Sequence, residues 1–335
     1  MKVSIILAVL AVALVLLCSC SGDDGGGGDA GATDADTDSD TDTDSDNDSD
    51  TDSDSDTDAD SDAGADGGAP AAPDFEAQFV ASDADRFYAF SENGGGVTFG
   101  AANDAAEDGQ VAELLVHGDP ALGTDADTGP AYATETGSND AFSYGEYRAR
   151  VQLAQCAANE ELVNGIFTYF NDGGDHDSDG LTDNSEIDIE ILCSDPSILS
   201  LTIWTEYDSD DPGENEHVTR EIHTQTGDFW DSLDYTIELG SGNDTDLLLS
   251  GFPDPDAFYE MGFDWEPGSV RYFIVFGGEE ITLWTWDDPA YVPSLPAPFL
   301  FNVWHSDDWW NDEAPADYPA ADAVMRVDWL RYWAS

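Results

Sequence analysis

The segment Glu186-Ile187-Asp188-Ile189-Glu190 carries three carboxylates at alternate positions. In a β-strand alternate side chains share a face, so the acids would line one surface while Ile187, Ile189 and Ile191 enter a core. At ~3.3 Å per residue the Cα atoms of Glu186 and Glu190 lie ~13 Å apart, and side chains leaning inward reduce the carboxyl separation to roughly 5–6 Å. That is close to the ~5–5.5 Å at which two carboxyl groups cleave a glycosidic bond by double displacement. Asp188, midway, could hold Glu186 through a shared proton. Crowding pushes the three titrations apart, leaving one ionised nucleophile and one acid that keeps its proton. The bare pattern is weak, because residues 69–335 hold 20 Glu and 35 Asp and Glu-x-Asp-x-Glu is expected about 0.2 times by chance. Its surroundings must decide.

Those surroundings read as all-β. Short runs rich in β-branched and aromatic residues recur at Tyr147–Leu153, Gly165–Phe170, Glu186–Leu192, Leu199–Thr205, Tyr259–Trp265, Val270–Phe276, Glu280–Trp286, Phe299–Trp304 and Met325–Trp333. Turn signals separate them, among them Asn171-Asp172-Gly173-Gly174, Pro212-Gly213, Glu266-Pro267-Gly268 and Gly277-Gly278. No stretch holds a 3.6-residue period for three turns. The pattern predicts a β-sandwich jelly roll in one domain over residues 70–335.

In this setting the chain resembles the family-sixteen glycoside hydrolases, the β-glucanase and lichenase group. Their signature strand reads Glu-Ile-Asp-(Ile/Phe)-Glu, as at Glu186–Glu190. Tyr144-Gly145-Glu146-Tyr147 resembles an earlier strand of the family, and Gly165–Phe170 the strand before the catalytic one. Phe263-Asp264-Trp265-Glu266-Pro267-Gly268, Phe301-Asn302-Val303-Trp304 and Val327-Asp328-Trp329-Leu330-Arg331-Tyr332 match later elements, in the family's order. The resemblance implies a concanavalin A-like, lichenase-like jelly roll and a retaining endo-β-glucanase acting on β-1,3/1,4-type glucans. It makes Glu186 the nucleophile, Asp188 its electrostatic partner and Glu190 the acid/base. Asn302 and Trp304 match positions that line the family's substrate cleft; the alternative is a buried asparagine and a core tryptophan. Trp204 could stack on a sugar, and Trp309 or Trp310 could form a rim.

A branch of the family inserts a residue between the aspartate and the second glutamate. This chain has none, and so resembles the branch of lichenases, xyloglucan-acting enzymes and transglycosylases. Asn184 stands where many lichenases have tryptophan, which leaves the glucan preference open. Transglycosylation or xyloglucan action is the alternative within the family. A non-catalytic sugar-binding jelly roll is the alternative from another class, but it would not need three acids in register.

No cofactor is required for this chemistry, but structural Ca²⁺ is expected. Asp175 to Glu186 fits a twelve-position calcium loop with Gly180 at its turn. A nucleophile cannot also serve as the bidentate ligand, so the expected set is Asp175, Asp177, Asp179 and Asp183; an acidic solvated loop is the alternative. Asp328 matches a second calcium position by the family resemblance. Cys156 and Cys193 are candidates for a disulfide outside the cytoplasm. His217, His223 and His305 lack metal-ligand spacing.

The chain has 74 acidic residues against 8 Lys plus Arg. Such a balance excludes nucleic acid, repels anionic lipid surfaces and acidic polysaccharides, and suits a neutral β-glucan partner and a surface hydrated in high salt. Residues 1–20 read as a signal: Lys2, an apolar run from Val3 to Leu17, then Leu17-Cys18-Ser19-Cys20. This resembles a bacterial lipoprotein signal, with Cys20 as the acylated residue; Cys18 fits less well, and an ordinary secretory signal is the alternative. Residues 21–69 hold 19 aspartates, one at every even position from Asp34 to Asp62, and no apolar surface to offset ordering entropy. They read as a disordered tether. The expected whole is a monomer, outside the cytoplasm, lipid-anchored to the cell envelope or secreted.

Overall fold

Strict alternation builds the strands that frame the site. In Gly145–Gln152 the residues Tyr147, Ala149 and Val151 are buried while Glu146, Arg148, Arg150 and Gln152 lie on the other face. The computed structural model describes residues 71–335 apart from 93, 120–132, 158–159, 161, 209–214 and 306–316. Cys20, the acidic tether and Trp309 lie outside the described residues.

In chain order the strands are β1 (Phe75–Ala77), β2 (Phe87–Ser91), β3 (Gly96–Ala102), β4 (Gln110–Val116), β5 (Ala133–Phe142), β6 (Gly145–Gln152), β7 (Leu162–Phe170), β8 (Asp183–Leu192) and β9 (Ile198–Glu206). They continue with β10 (Glu216–His223), β11 (Asp228–Leu233), β12 (Ile237–Asn243), β13 (Tyr259–Glu266), β14 (Ser269–Phe276), β15 (Glu279–Trp286), β16 (Ala297–His305) and β17 (Ala323–Ala334). All nine strands expected from sequence are present. They form two antiparallel sheets: an eight-stranded one in the order β15-β14-β13-β6-β17-β4-β3, with β1 on β17, and a nine-stranded one in the order β12-β11-β10-β9-β8-β7-β16-β5-β2. This is the expected β-sandwich jelly roll.

The core is the space between the sheets. Tyr147 of the smaller sheet stacks on Phe299 of the larger at 5.8 Å between ring centres, Phe263 stacks on Phe299 at 6.0 Å, and Phe79 meets Phe301 edge-on. Fully buried Trp265 keeps its indole N–H bonded to Pro293 O at 2.9 Å. Tyr272 crosses the core to donate to Thr202 O at 2.7 Å, tying β14 to the strand beside β8.

Five arginines pin the outer face of the smaller sheet. Arg148 bonds Glu146, Glu260 and Glu280; Arg271 bonds Asp264 and Glu280; Arg326 bonds Glu113, and Arg331 bonds Glu76 and Glu107. The fifth is Arg150, which meets a residue expected as a calcium ligand. Asp328, anticipated as a calcium ligand, is fully buried and ion-paired to Arg150, and it accepts the Glu107 N–H with both oxygens, at 3.0 and 3.1 Å. The Arg150–Asp328 pair ties β6 to β17.

Cys156 and Cys193 are joined, with Cα atoms 5.4 Å apart, closing the end of β8 onto the segment before β7. The linked residues are 37 apart in sequence, for which the chain-entropy model gives about 4 kcal/mol. The Cys156→Ser/Cys193→Ser double variant should therefore unfold at a clearly lower denaturant midpoint with an altered slope, and reducing agent should lower the wild type to the same midpoint.

Candidate active site

β8 is the fifth of nine strands, flanked by β7 and β9, so its position is fixed from both sides. Ile187, Ile189 and Ile191 are fully buried on its core side, which obliges Glu186, Asp188 and Glu190 to share the opposite face. From Glu186 to Ile191 the register with β9 is unbroken, and it is likewise continuous with β7. The three acids therefore form one uninterrupted row.

Each acid is held by a different neutral donor. Asn184 Nδ2 donates to Glu186 Oε2 at 2.8 Å, Trp204 to Asp188, and Trp304 to Glu190. Burial raises all three carboxyls, and the interactions set their order. Glu186 is pushed up to about 7, by burial first, with Asn184 pulling it down and the charge of Glu135 pushing it up. Asp188 lies well above the ordinary carboxylate range through burial, then Glu186 and Glu190. Glu190 is likewise well above it, through burial and then Glu186, against the pull of Trp304. Glu186 is thus the member that ionises near neutrality, while burial and the charge of Glu186 hold the proton on Glu190.

Toward β16 and β5 the same face continues through Gly165, which pairs with Glu190 on one side and Asn302 on the other. A Cβ on Gly165 would come within 2.2 Å of Asn302 Oδ1, so only glycine lets that amide lie across the strand. Asn302 donates to Glu135, and Tyr88 Oη donates to Glu135 at 2.7 Å. Burial raises Glu135 while both donors oppose the shift. Gly137 repeats the arrangement, since a Cβ there would strike the Tyr88 ring at 2.5 Å. Asn302 Oδ1 is buried without a hydrogen-bond partner.

On the β9 side Trp204 has an assignment other than an open sugar platform. It is only 6% exposed and stacks on His217 at 3.9 Å between ring centres, while Tyr235 packs on His217 at 4.2 Å. His217 is buried and pushed down to about 3 by desolvation, so it stays neutral. Tyr235 bonds Thr219 and Thr202, close enough for Glu190 and Asp188 to raise its phenol after burial does. Trp204 therefore positions Asp188. Glu135, Tyr88, His217 and Tyr235 had no signal in the sequence, because Ala133–Phe142 and His217–Thr219 lack any motif that marks them.

The loop before β8 brings its aspartates together. Oxygens of Asp175, Asp177 and Asp183 lie within 4.8 Å of one another, as do those of Asp177, Asp179 and Glu206. The four expected aspartates are all present, and Glu206 at the end of β9 is an addition. Glu206 is pushed up to about 8 by burial first, then by Asp183, Asp179, Asp177 and Glu216.

Taken together, three carboxyls in one row, all raised by burial and flanked by amide and indole donors, can do acid/base and nucleophilic chemistry. No family model matches the chain. It is 24% identical over 210 residues to the β-glucanase of Bacillus subtilis (strain 168), covering 61% of this chain and 66% of that protein. It is 24% identical over 213 residues to the β-glucanase of Bacillus amyloliquefaciens, covering 61% and 67%. The match thus spans about two thirds of the length of these curated relatives. Among solved structures, a glycoside hydrolase family 16 endo-glucanase from Bacteroides ovatus aligns at 12% identity and TM-score 0.49, over 77% of this chain and 99% of that one. The β-glucanase of Bacillus licheniformis aligns at 16% identity and TM-score 0.47, over 79% and 100%. The chain is thus similar in sequence to curated β-glucanases over 61% of its length.

Proposed function

We propose that the protein is a retaining endo-β-glucanase that hydrolyses a neutral β-1,3/1,4-type glucan. The observation that carries this reading is the unbroken row of Glu186, Asp188 and Glu190 on one face of β8, where burial pushes Glu186 up to about 7 and Glu190 well above the ordinary carboxylate range. Glu190 protonates the leaving glycosidic oxygen as Glu186 attacks the anomeric carbon and forms a glycosyl ester. Glu190, now a carboxylate, then takes a proton from water, which attacks the same carbon and releases Glu186. Asp188, bonded by Trp204 and set between the two glutamates, serves as the electrostatic partner of Glu186. The orphan oxygen of Asn302, lying over Gly165 beside Glu190, suits a sugar hydroxyl as donor. The lipoprotein-type signal ending at Cys20 and the disulfide both support a site of action outside the cytoplasm, on the envelope.

Reducing-sugar release from lichenan, laminarin, xyloglucan and carboxymethyl-cellulose tests the activity. Glu186→Gln should reduce it to background, and Glu190→Gln should lower kcat/KM by about 10²- to 10⁴-fold. The first anomer seen by NMR should retain the β configuration; no release from any β-glucan would sink the reading.

The pH profile of kcat/KM should rise through about 7 as Glu186 ionises, and fall at higher pH as Glu190 loses its proton. Asn184→Leu removes the donor that lowers Glu186 and should move the acid limb to higher pH. Glu135→Gln removes the charge that raises Glu186 and should move it to lower pH. Equal profiles for both variants and wild type would contradict the assignment.

A raised carboxyl costs folding stability as pH climbs from its unfolded value, 4.5 for Glu190, toward its folded one. Glu190→Gln should therefore melt above the wild type at pH 7, with the gap narrowing toward pH 4.

A further inference from the structure

The loop between β7 and β8 and the end of β9 gather five carboxylates, those of Asp175, Asp177, Asp179, Asp183 and Glu206, with Asp177 common to both close sets. No arginine is available to neutralise them: Arg86, Arg148, Arg150, Arg220, Arg271, Arg326 and Arg331 are all engaged with other carboxylates. His176 pairs with Asp172. Asp183 and Glu206 stand directly opposite each other on the β8–β9 ladder, where like charges are destabilising.

Glu206 separates this cluster from an ordinary solvated acidic loop. It is only 6% exposed, yet Oε2 has no hydrogen-bond partner, and its carboxylate lies within 4.8 Å of Asp177 and Asp179. A buried carboxylate with an unpartnered oxygen, set beside Asp177 and Asp179, is costly unless a cation meets it. Within each set of three the spacing fits a shared Ca²⁺, because two oxygens on one ion at ~2.3–2.6 Å can stand no more than ~5 Å apart, and Asp177 joins the two sets.

The register explains how the ligands meet. Asp183 pairs with Glu206, but Glu186 pairs with Trp204, so one residue is slipped between them. On an unbroken ladder Asp183 would share the core face of Ile187. The slip turns it to the face of Glu186, opposite Glu206. Glu186 itself is bonded to Asn184 and is not a ligand.

We propose that Asp175, Asp177, Asp179, Asp183 and Glu206 form a Ca²⁺ site that ties the entry of β8 to the end of β9. A carboxylate-rich loop of variable ligand number favours Ca²⁺ over Mg²⁺, which demands near-octahedral geometry. The bound ion would fix the start of the strand bearing Glu186 against the strand bearing Trp204. This site is independent of the glucanase reading, and its test does not use activity.

The chelator-stripped full chain should be titrated with CaCl₂ calorimetrically, and melted with CaCl₂ or MgCl₂ at matched ionic strength. Calcium should raise the Tm of the wild type more than magnesium does. Glu206→Gln and Asp177→Asn should weaken calcium binding at least ~10-fold and lose that increment, while leaving the acidic N-terminal tract intact as an internal control. Without calcium neither variant should melt below the wild type, because each removes a charge from an uncompensated cluster. A calcium increment equal in wild type and in whichever variant folds, or no increment beyond magnesium, would overturn the proposal.

Discussion

Three carboxylates on one face of one strand cannot all be ionised away from bulk water, and the sheet around β8 is arranged to divide the protons among them. The division depends on neutral donors. Asn184, Trp204 and Trp304 each lower one acid by a hydrogen bond, without the larger pull of a full positive charge. A guanidinium beside Glu190 would ionise it and remove the proton that a leaving group needs. Among the described residues, no arginine ion pair involves a carboxylate of this row.

The arginines are spent elsewhere to good effect. With 7 of them in a chain of 74 acids, most negative charge must stay unpaired. Arg148, Arg271 and Arg331 each bridge two or three carboxylates on the outside of the smaller sheet, forming networks rather than isolated pairs, while Arg150 and Arg326 there hold one each. In the larger sheet the arginine ion pair among the described residues is Arg220–Asp231, on β10 and β11, so the carboxylate row is left without a guanidinium and burial and like charges raise it. One allocation of scarce cations thus serves the tie at Asp328 and the chemistry at Glu190.

How much of this was legible in the sequence depended on whether burial was achieved by apolar side chains. The strand at Glu186–Leu192 announced itself because isoleucines fill its core side, and the other eight anticipated strands carried similar runs. β5 did not, although it lies in the same sheet with only β7 and β16 between it and β8. Its core side is Thr134, Thr136 and Ser138; the two threonines donate to Leu115 O and Tyr88 O at 2.7 Å, and Ser138 donates to Asp140 O. Hydroxyls satisfied by carbonyls can occupy a core without an apolar pattern, so Glu135 went unseen with its strand. Trp204 shows the opposite limit: its presence on the site face was legible, but its stacking on His217 is a cross-strand contact that no linear spacing encodes.

The slip between Asp183 and Glu186 shows why the acidic loop and the acid row can adjoin without interfering. A calcium-loop pattern that ran regularly into the strand would offer Glu186 as its last ligand, and a coordinated carboxylate is a poor nucleophile. The inserted residue instead presents Asp183 to Glu206 and leaves Asn184 free to donate to Glu186. Ser185 anchors the slip through its hydroxyl on Leu295 O at 2.7 Å. Glu186 then keeps a neutral partner, while Glu206 from a different strand joins the carboxylates of the loop. Two clusters of like charge thereby share one strand, and the irregularity that separates them keeps the acid at position twelve for chemistry.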